Sequence, residues 1–311
     1  MILSRFSAYK TSIKLQCLII MTTQLSNIFE HRSLLFAIAY RMTGEKQEAE
    51  DIVQDVYTRW LEMDTNQVEQ PRHYLMRAVT NRSINRLKVL QQQRELYMGP
   101  WLPEPLTGTD LPEIFPAMGN DLSIGFLFLL EKLNPLERAI FLLRESFDLS
   151  YKELESLLDI PESTCRQHLH RAKEKLQKDK KRFESDVTRH QQLLEAFIAA
   201  CMNQDQDKLI SLLKEDISFY GDGGGKASAA THPLFGQDVV SRFILGLFRK
   251  IPTPAPLHNL LMVNGLPALV LFDAITLAPI TCICFEHEGE AITSFYFIRN
   301  PDKLKNIRYT G

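Results

Sequence analysis

The chain has 311 residues, a formal net charge of −2 and a hydrophobic fraction of 45%. At roughly 100–200 residues per domain, this length predicts two or three compact units. The five cysteines are odd in number and form no Cys-x-x-Cys pair, which argues against a disulfide framework and against a zinc site. No apolar stretch approaches the roughly 20 residues of a membrane span. We therefore expect a cytoplasmic protein with no metal, no cofactor and no membrane partner.

The N-terminus contains a short apolar stretch at residues 15–21 that follows three basic residues. Gln16 interrupts this stretch and no small-x-small cleavage site follows it, so an export signal is not predicted. Met21 stands just before a polar stretch and the first periodic helix. We predict that residues 1–23 are a disordered tail or a misassigned start, with translation beginning at Met21.

Helical spacing of apolar residues dominates the first half of the chain. It predicts one helix around Leu34–Met42, a second from about Gln47 and a third after Pro71. Residues 98–120 differ, because four of their prolines lie too close together for a helix interior. This segment is predicted to be an extended linker in which Trp101 and Leu102 dock on another part of the molecule.

Residues 121–183 return to helical patterning. Asn134-Pro135 is a cap followed by proline at the first helical position, which predicts a helix start. The final part, 187–311, contains a helix, a second short helix and segments of β character separated by glycine turns. This part is predicted to be an α+β domain. The β segments are Ile217–Tyr220, Pro267–Phe272, Pro279–Glu286 and Ala291–Arg299.

The segment Ser150–Leu176 has the pattern of a helix-turn-helix. Ser150 with Glu153 three residues later is typical of a capping box, and Pro161 separates a short helix from a longer one. The longer helix suits the DNA major groove, where Arg pairs with guanine and Gln with adenine. A helical hairpin with a polar face is the alternative. The outward-facing residues are Arg166, Gln167, His170, Arg171 and Lys173.

Two helices preceding this segment carry a family resemblance. Residues 48–60 (EAEDIVQDVYTRW) resemble the polymerase-binding helix of sigma-70-type factors, and residues 72–85 (RHYLMRAVTNRSIN) resemble the helix that follows it. Leu133–Arg138 and the helix-turn-helix resemble region 4. The spacing and the absence of other sigma regions resemble the extracytoplasmic-function class. The resemblance implies sigma region 2 at residues 24–97, the linker at 98–120 and sigma region 4 at 121–183.

Three further stretches resemble signatures of the subgroup with a fused SnoaL-like domain: Trp101–Pro105, Asp222–Lys226 and Asn300–Leu304. The implied fold is multidomain: an all-α sigma region 2 and a helix-turn-helix sigma region 4, followed by an α+β NTF2-like (SnoaL-like) cone domain at 187–311. Such a cone wraps a curved sheet and helices around a pocket.

The resemblance implies roles for individual residues. Asp51, Gln54 and Asp55 would face the β′ clamp helices of core RNA polymerase, and region 4 would face the β flap. Trp60 is predicted to belong to the core. The residues that would approach the downstream promoter element and its opened strand are Arg77, Asn81, Arg82 and Asn85. Those that would read the upstream element are Arg166, Gln167, His170 and Arg171.

The three signature stretches are implied to regulate activity. We hypothesise a clamp, in which the last domain docks on the linker and biases the two DNA-binding parts toward one relative arrangement. The implied contacts are Trp101, Leu102, Pro103, Glu104, Asp222, Gly223, Gly224, Gly225, Lys226, Asn300, Pro301, Asp302, Lys303 and Leu304. Glycine-rich turns are usually only turns, and Asp222–Lys226 lacks the P-loop pattern.

The function predicted from this sequence is promoter-specific transcription initiation regulated by the SnoaL-like domain. The alternative is a one-component DNA-binding regulator whose NTF2-like domain senses an unidentified small ligand or catalyses a reaction. Asp222, Asp273, His258 and Tyr220 are the candidates for catalysis, but no spacing assembles an acid/base pair, and fold analogy alone is a weak argument. We therefore predict that the protein is not an enzyme.

Overall fold

The computed structural model describes residues 30–64, 68–108, 122–176, 186–251 and 253–311. The predicted tail and start, and the predicted helical residues beyond Leu176, lie outside these ranges. The helices are α1 (30–43), α2 (Lys46–Glu62), α3 (Pro71–Arg94), α4 (Ile124–Leu129), α5 (Pro135–Glu145), α6 (Tyr151–Leu158), α7 (Glu162–Leu176), α8 (Val187–Met202), α9 (Gln206–Leu212), α10 (Gln237–Arg249) and α11 (Pro301–Leu304). The strands are β1 (Leu213–Asp222), β2 (Leu234–Phe235), β3 (Leu257–Val263), β4 (Leu266–Phe272), β5 (Pro279–Glu288) and β6 (Ala291–Ile298).

Local capping signals set the starts of α5 and α6. The Asn134 side chain accepts a hydrogen bond from the Glu137 N–H, and the Glu137 carboxylate accepts one from the Asn134 N–H. Ser150 and Glu153 form the same reciprocal pair at α6. Each pair satisfies backbone donors that a helix end leaves unpaired. The two starts therefore lie where the sequence predicts them.

Helices α1–α7 share one hydrophobic cluster. Trp60 on α2 is buried in it, 5.5 Å from the Tyr74 ring on α3, so the predicted core position of Trp60 is confirmed. Helix α3 also packs against α5 and α6. Gln91 on α3 donates to the Leu133 carbonyl at 3.0 Å. The two helical segments on either side of the linker therefore lie in direct contact.

The six strands form one sheet in the order β2-β1-β6-β5-β4-β3. Strands β1 and β6 are parallel, and every other neighbouring pair is antiparallel. Strand β3 and helix α10 are absent from the predicted elements. Side chains alternate between the two faces, and both faces are covered: one by α8–α10, the other by the linker, α4 and α11.

Phenylalanine rings fill the space between α8–α10 and the sheet. Neighbouring rings have centroids 4.8–6.1 Å apart, a normal spacing for packed aromatic pairs. The residues are Phe197, Phe219, Phe243, Phe248, Phe285, Phe295 and Phe297. These rings occupy the region in which the resemblance implies a pocket.

We expect Phe295→Ala to destabilise the sheet domain by about 3–5 kcal/mol, because Phe295 is fully buried and its loss leaves a cavity among packed rings. Phe248→Ala is the matched control, since Phe248 is only partly buried against the same cluster. Scanning calorimetry measures both transitions. Equal losses in the two variants would contradict the packing described here.

Candidate functional site

The linker residue Leu102 has both of its backbone polar groups bound by an ion pair. Its N–H donates to Asp222 Oδ2 at 2.9 Å, and its carbonyl accepts from the Lys303 ammonium group. Lys303 Nζ also lies 2.7 Å from Asp222 Oδ2. The Asp222 and Lys303 side chains are 0% and 8% exposed. Two successive peptide groups of the linker, on either side of the Leu102 Cα, are thus held by charged groups that water does not screen.

Tyr97 and Asn300 complete the shell around Asp222. The Tyr97 hydroxyl donates to Asp222 Oδ1 at 2.6 Å and accepts from the Asn300 amide at 2.8 Å. Burial and the hydrogen bond to Asp222 raise the pKa of Tyr97, so the phenol stays protonated as the donor. Burial lowers the pKa of Lys303, and the charge of Asp222 opposes this shift.

Two cations flank Trp101. The Arg94 guanidinium lies 3.3 Å from the ring centroid, and the Lys303 ammonium lies 4.1 Å from it. Gly44 makes room for this ring, because a Cβ at Gly44 would lie 2.7 Å from the nearest ring atom. Cation–π contacts are strongest where water is excluded, and Trp101 is only 9% exposed.

Glu104 connects the linker to the start of α2 through hydrogen bonds. Its carboxylate accepts from the Lys46 N–H at 2.8 Å and from the Asn306 amide at 3.0 Å. Its own N–H donates to the Gly44 carbonyl at 2.8 Å. Burial raises the pKa of Glu104, and these hydrogen bonds oppose the shift.

The glycine run after Asp222 is sterically required. A Cβ at Gly223 would lie 2.0 Å from the Ala227 carbonyl oxygen. Gly224 has φ +58, and a Cβ there would lie 2.3 Å from the Asn300 amide nitrogen. Lys226 forms an exposed ion pair with Asp302. The structure therefore brings the three signature stretches together: Asp222–Lys226 and Asn300–Leu304 lie against Trp101–Pro105 of the linker.

Two contact residues were missed by the sequence analysis. Asn264, in the turn between β3 and β4, is 2% exposed and bonds to Leu106, Tyr40 and Leu122. Glu286 on β5 is 3% exposed and accepts from the Ser123 hydroxyl and the Gly125 N–H. The only available signals were an Asn-Gly turn and an acidic residue in an apolar strand, and neither identifies a partner.

The predicted polymerase-facing residues lie exposed on α2. Asp51 accepts from Gln47 at 2.9 Å, Gln54 is exposed, and Asp55 is paired with Arg82 of α3. The negative charge of Asp55 therefore borders the basic surface of α3.

The predicted downstream-element residues lie along α3. Arg77 donates to the Ser156 carbonyl of α6 at 3.1 Å and lies 4.0 Å from Asp159. Asn81 and Asn85 are exposed. In this arrangement, Arg77 is engaged by the other helical segment.

The outer face of α7 carries the residues predicted to read the upstream element. Arg166, Gln167, His170 and Arg171 are exposed, while Cys165, Leu169, Ala172 and Leu176 are buried. Arg166 stacks 3.8 Å from the Tyr151 ring centroid. Lys173 pairs with Glu145 at 2.8 Å. The predicted division of this helix into buried and exposed faces is confirmed.

The candidate catalytic residues are not assembled into an acid/base pair. Asp222 is bound as described above, and Asp273 accepts from the N–H groups of Ile275 and Thr276 in a turn, which lowers its pKa. His258 is exposed and Tyr220 packs 4.8 Å from Phe128. Over the described ranges, no three His, Cys, Asp or Glu side chains are grouped for a metal ion. Within those same ranges no helix is long and apolar enough to cross a membrane.

Comparison with known proteins accounts for the order of these elements. Family models for sigma-70 region 2 and sigma-70 region 4 match residues 28–93 and 125–176. The ECF RNA polymerase sigma factor SigJ of Mycobacterium tuberculosis is 33% identical over 286 residues, which cover 88% of this chain and 90% of that protein. The chain belongs to the extracytoplasmic-function sigma factors. A probable ECF sigma factor, SigI, of the same species is 27% identical over 89% of this chain and 93% of that protein.

The crystal structure of M. tuberculosis SigJ matches this sigma factor with a TM-score of 0.74 at 29% identity, covering 90% of this chain and 98% of that one. The predicted fold class is therefore confirmed: helical sigma regions 2 and 4, followed by a domain of helices and one sheet. The predicted sigma-factor function is confirmed as well, and the one-component regulator is not favoured.

Burial raises the pKa of Glu286 to about 8, although its hydrogen bonds from Ser123 and Gly125 oppose the shift. Because the folded protein then holds this proton more tightly than the unfolded chain, the contribution of Glu286 to stability is fully present below about pH 4.5. It is lost as the pH rises toward 8. We expect Glu286→Gln, which does not titrate, to flatten the fall in unfolding free energy between pH 5 and 8.

Denaturant unfolding of the parent and Glu286→Gln proteins across this pH range measures the difference. Asp273→Asn is the control, because the hydrogen bonds of its turn lower the pKa of Asp273, so its carboxylate stays ionised across this pH range. A parent and a Glu286→Gln variant with the same slope of stability against pH would contradict the assignment.

Proposed function

We propose that this sigma factor directs core RNA polymerase to its promoters through two surfaces that bind polymerase and two that bind DNA. Asp51, Gln54 and Asp55 on α2 face the β′ clamp helices, and region 4 faces the β flap. The α3 residues Arg77, Asn81, Arg82 and Asn85 contact the downstream element. Arg166, Gln167, His170, Arg171 and Lys173 on α7 contact the upstream element. The corresponding units are residues 24–97, 98–120, 121–183 and 187–311.

The buried Asp222–Lys303 pair around Leu102 supports regulation by the last domain. Both charges belong to the last domain, and the docked linker gives each of them a hydrogen bond and shields the pair from water, which strengthens their attraction. Docking therefore has different free energies in different arrangements of regions 2 and 4. That inequality is what a domain needs in order to shift a conformational equilibrium.

The direction of regulation follows from the contact between α3 and α6. In the docked arrangement Arg77 donates to Ser156 of region 4, so this side chain is withheld from DNA. We propose that the last domain stabilises a closed form, and that initiation requires the contact between α3 and α6 to open. The sheet face under α8–α10 is filled by phenylalanine rings and leaves little room for a ligand. Regulation therefore acts through the opposite face of the sheet, which meets the linker, α4 and α11. The protein acts as an initiation factor and not as a catalyst.

Arg171→Ala is expected to weaken holoenzyme binding to the upstream element by about 1–3 kcal/mol, the usual cost of losing a paired contact to a base. Arg242→Ala on α10 removes the same charge far from α7 and should have little effect. Mobility-shift titration with promoter and mutated-promoter duplexes measures both. A loss that is equal for every duplex would contradict base readout and indicate only a phosphate contact.

Lys303→Met is expected to weaken docking by about 3–5 kcal/mol, because Asp222 is left buried without its cation. Run-off transcription with core polymerase and the chain from Met21 should then give more product. Lys226→Met is the matched control: it breaks the exposed pair with Asp302, for which at most about 1 kcal/mol is expected.

Chains ending at Arg182 and just before Asn300 extend this test, since both lack Lys303. Identical output from the parent, Lys303→Met and the two shortened chains would refute regulation by the last domain. Failure of every version to bind core polymerase would refute the assigned polymerase surface.

A further inference from the structure

Asn264 ties together three parts of the chain that lie far apart in sequence. Its side-chain Oδ1 accepts from the Leu106 N–H, and its Nδ2 donates to the Leu122 carbonyl and to the Tyr40 hydroxyl, each at 2.8 Å. Its own N–H donates to the Leu106 carbonyl at 2.9 Å. Asn264 therefore contacts region 2 through Tyr40, the linker through Leu106 and the start of region 4 through Leu122.

The backbone at Asn264 fits this role. Asn264 and Gly265, at φ +51 and +85, form the two-residue turn between Val263 of β3 and Leu266 of β4. Asparagine tolerates the left-handed region better than other residues with a side chain. A glycine would serve the turn equally well, so the turn alone does not explain a buried amide with three side-chain hydrogen bonds.

Glu286 makes a second contact with the same part of region 4. The Ser123 hydroxyl and the Gly125 N–H donate to its carboxyl group. The fit is close, because a Cβ at Gly125 would lie 2.6 Å from both Cγ and Oε1 of Glu286. The first residues of region 4 are thus bound from the β3–β4 turn and from strand β5 of the sheet domain.

We propose that Asn264 and Glu286 form a region-4 anchor: they position the start of region 4 on the sheet domain, separately from the linker contact at Asp222 and Lys303. This inference rests on the proposed function, and it names the residues that set the placement of region 4 relative to region 2. Leu106 and Leu122 are held at one side chain, whereas the stretch between them, if extended, would span up to about 55 Å. Release of the anchor therefore changes the reach of region 4.

Two substitutions separate the anchor from the linker contact. Asn264→Asp keeps the turn conformation and an acceptor for the Leu106 N–H, but loses the donor to Leu122 and Tyr40. Gly125→Ala favours helix formation locally, yet its methyl group enters the space of Glu286. Asn259→Asp is the control for the first, because Asn259 lies on β3, the strand that leads into this turn, and its side chain contacts Thr310.

The first readout is the distance between region 4 and the sheet domain. Spin labels on non-natural amino acids at the exposed positions Glu155 and Asn203 report this distance in the full chain. The parent and Asn259→Asp proteins should give one narrow distribution. Asn264→Asp and Gly125→Ala should add longer distances. The double variant Gly125→Ala/Glu286→Ala should resemble Glu286→Ala alone, because the clash between the new methyl group and the Glu286 side chain is then removed.

The second readout is transcription from promoters that differ only in the spacing of the two elements. A change of two base pairs moves one element by about 7 Å and rotates it by about 70°. The parent should lose output by about 5- to 150-fold, the usual size of coupling between two sites, whereas the anchor variants should lose roughly threefold or less. A purely structural defect lowers output equally at every spacing.

Unchanged distances and an unchanged spacing profile in both Asn264→Asp and Gly125→Ala would overturn the anchor. If Lys303→Met still alters output in that case, the proposed regulation stands and only the anchor is refuted. If no version directs initiation, the proposed function fails, while the distance measurement still decides whether the anchor exists. Circular dichroism confirms that each variant is folded.

Discussion

The backbone of Leu102 is the point on which this arrangement depends. Its N–H and carbonyl are satisfied by the two members of one buried ion pair, Asp222 and Lys303. Buried charges are tolerable only when they are paired and hydrogen-bonded, and here the linker supplies two of the required hydrogen bonds. The linker thus stabilises the ion pair as much as the ion pair holds the linker. Either partner alone would leave polar groups unsatisfied, which makes the contact cooperative.

The two faces of the sheet have different chemistry. The face under α8–α10 is a packed layer of phenylalanine rings, with His190 of α8 stacked on Phe285. The opposite face carries Asp222, Glu286 and Tyr296 together with aliphatic side chains, and it meets the linker and α4. A polar group aimed into a hydrophobic interface specifies which partner fits, because a wrong partner leaves it unpaired. The face that meets the linker and α4 is therefore the one that specifies its partner, and the face under α8–α10 supplies stability.

The sequence predicted the helices of regions 2 and 4 well because their signals are local. Capping boxes at Asn134 and Ser150 and the proline spacing of the linker act within a few residues. Helix α10 and strand β3 were missed, and β3 is an edge strand whose Leu260 and Met262 stay exposed, so its apolar residues do not mark one buried face. Asn264 and Glu286 bind partners more than 140 residues away, and no pattern along the chain encodes such a pairing.

The contacts that α3 makes within the chain also engage the basic side chains that are proposed to bind DNA. Arg77 is engaged by Ser156 and lies near Asp159, and Arg82 is paired with Asp55, so part of the basic surface of α3 is neutralised by the chain itself. Under the proposed roles of α2 and α3, DNA would have to compete with these contacts, and polymerase would have to compete with Arg82 for Asp55. Polymerase bound at α2 would then remove a partner from Arg82 and favour DNA binding at α3, a coupling that would be reciprocal by thermodynamic necessity. With the proposed roles, a closed sigma factor of this kind would respond to polymerase and promoter together more strongly than to either alone.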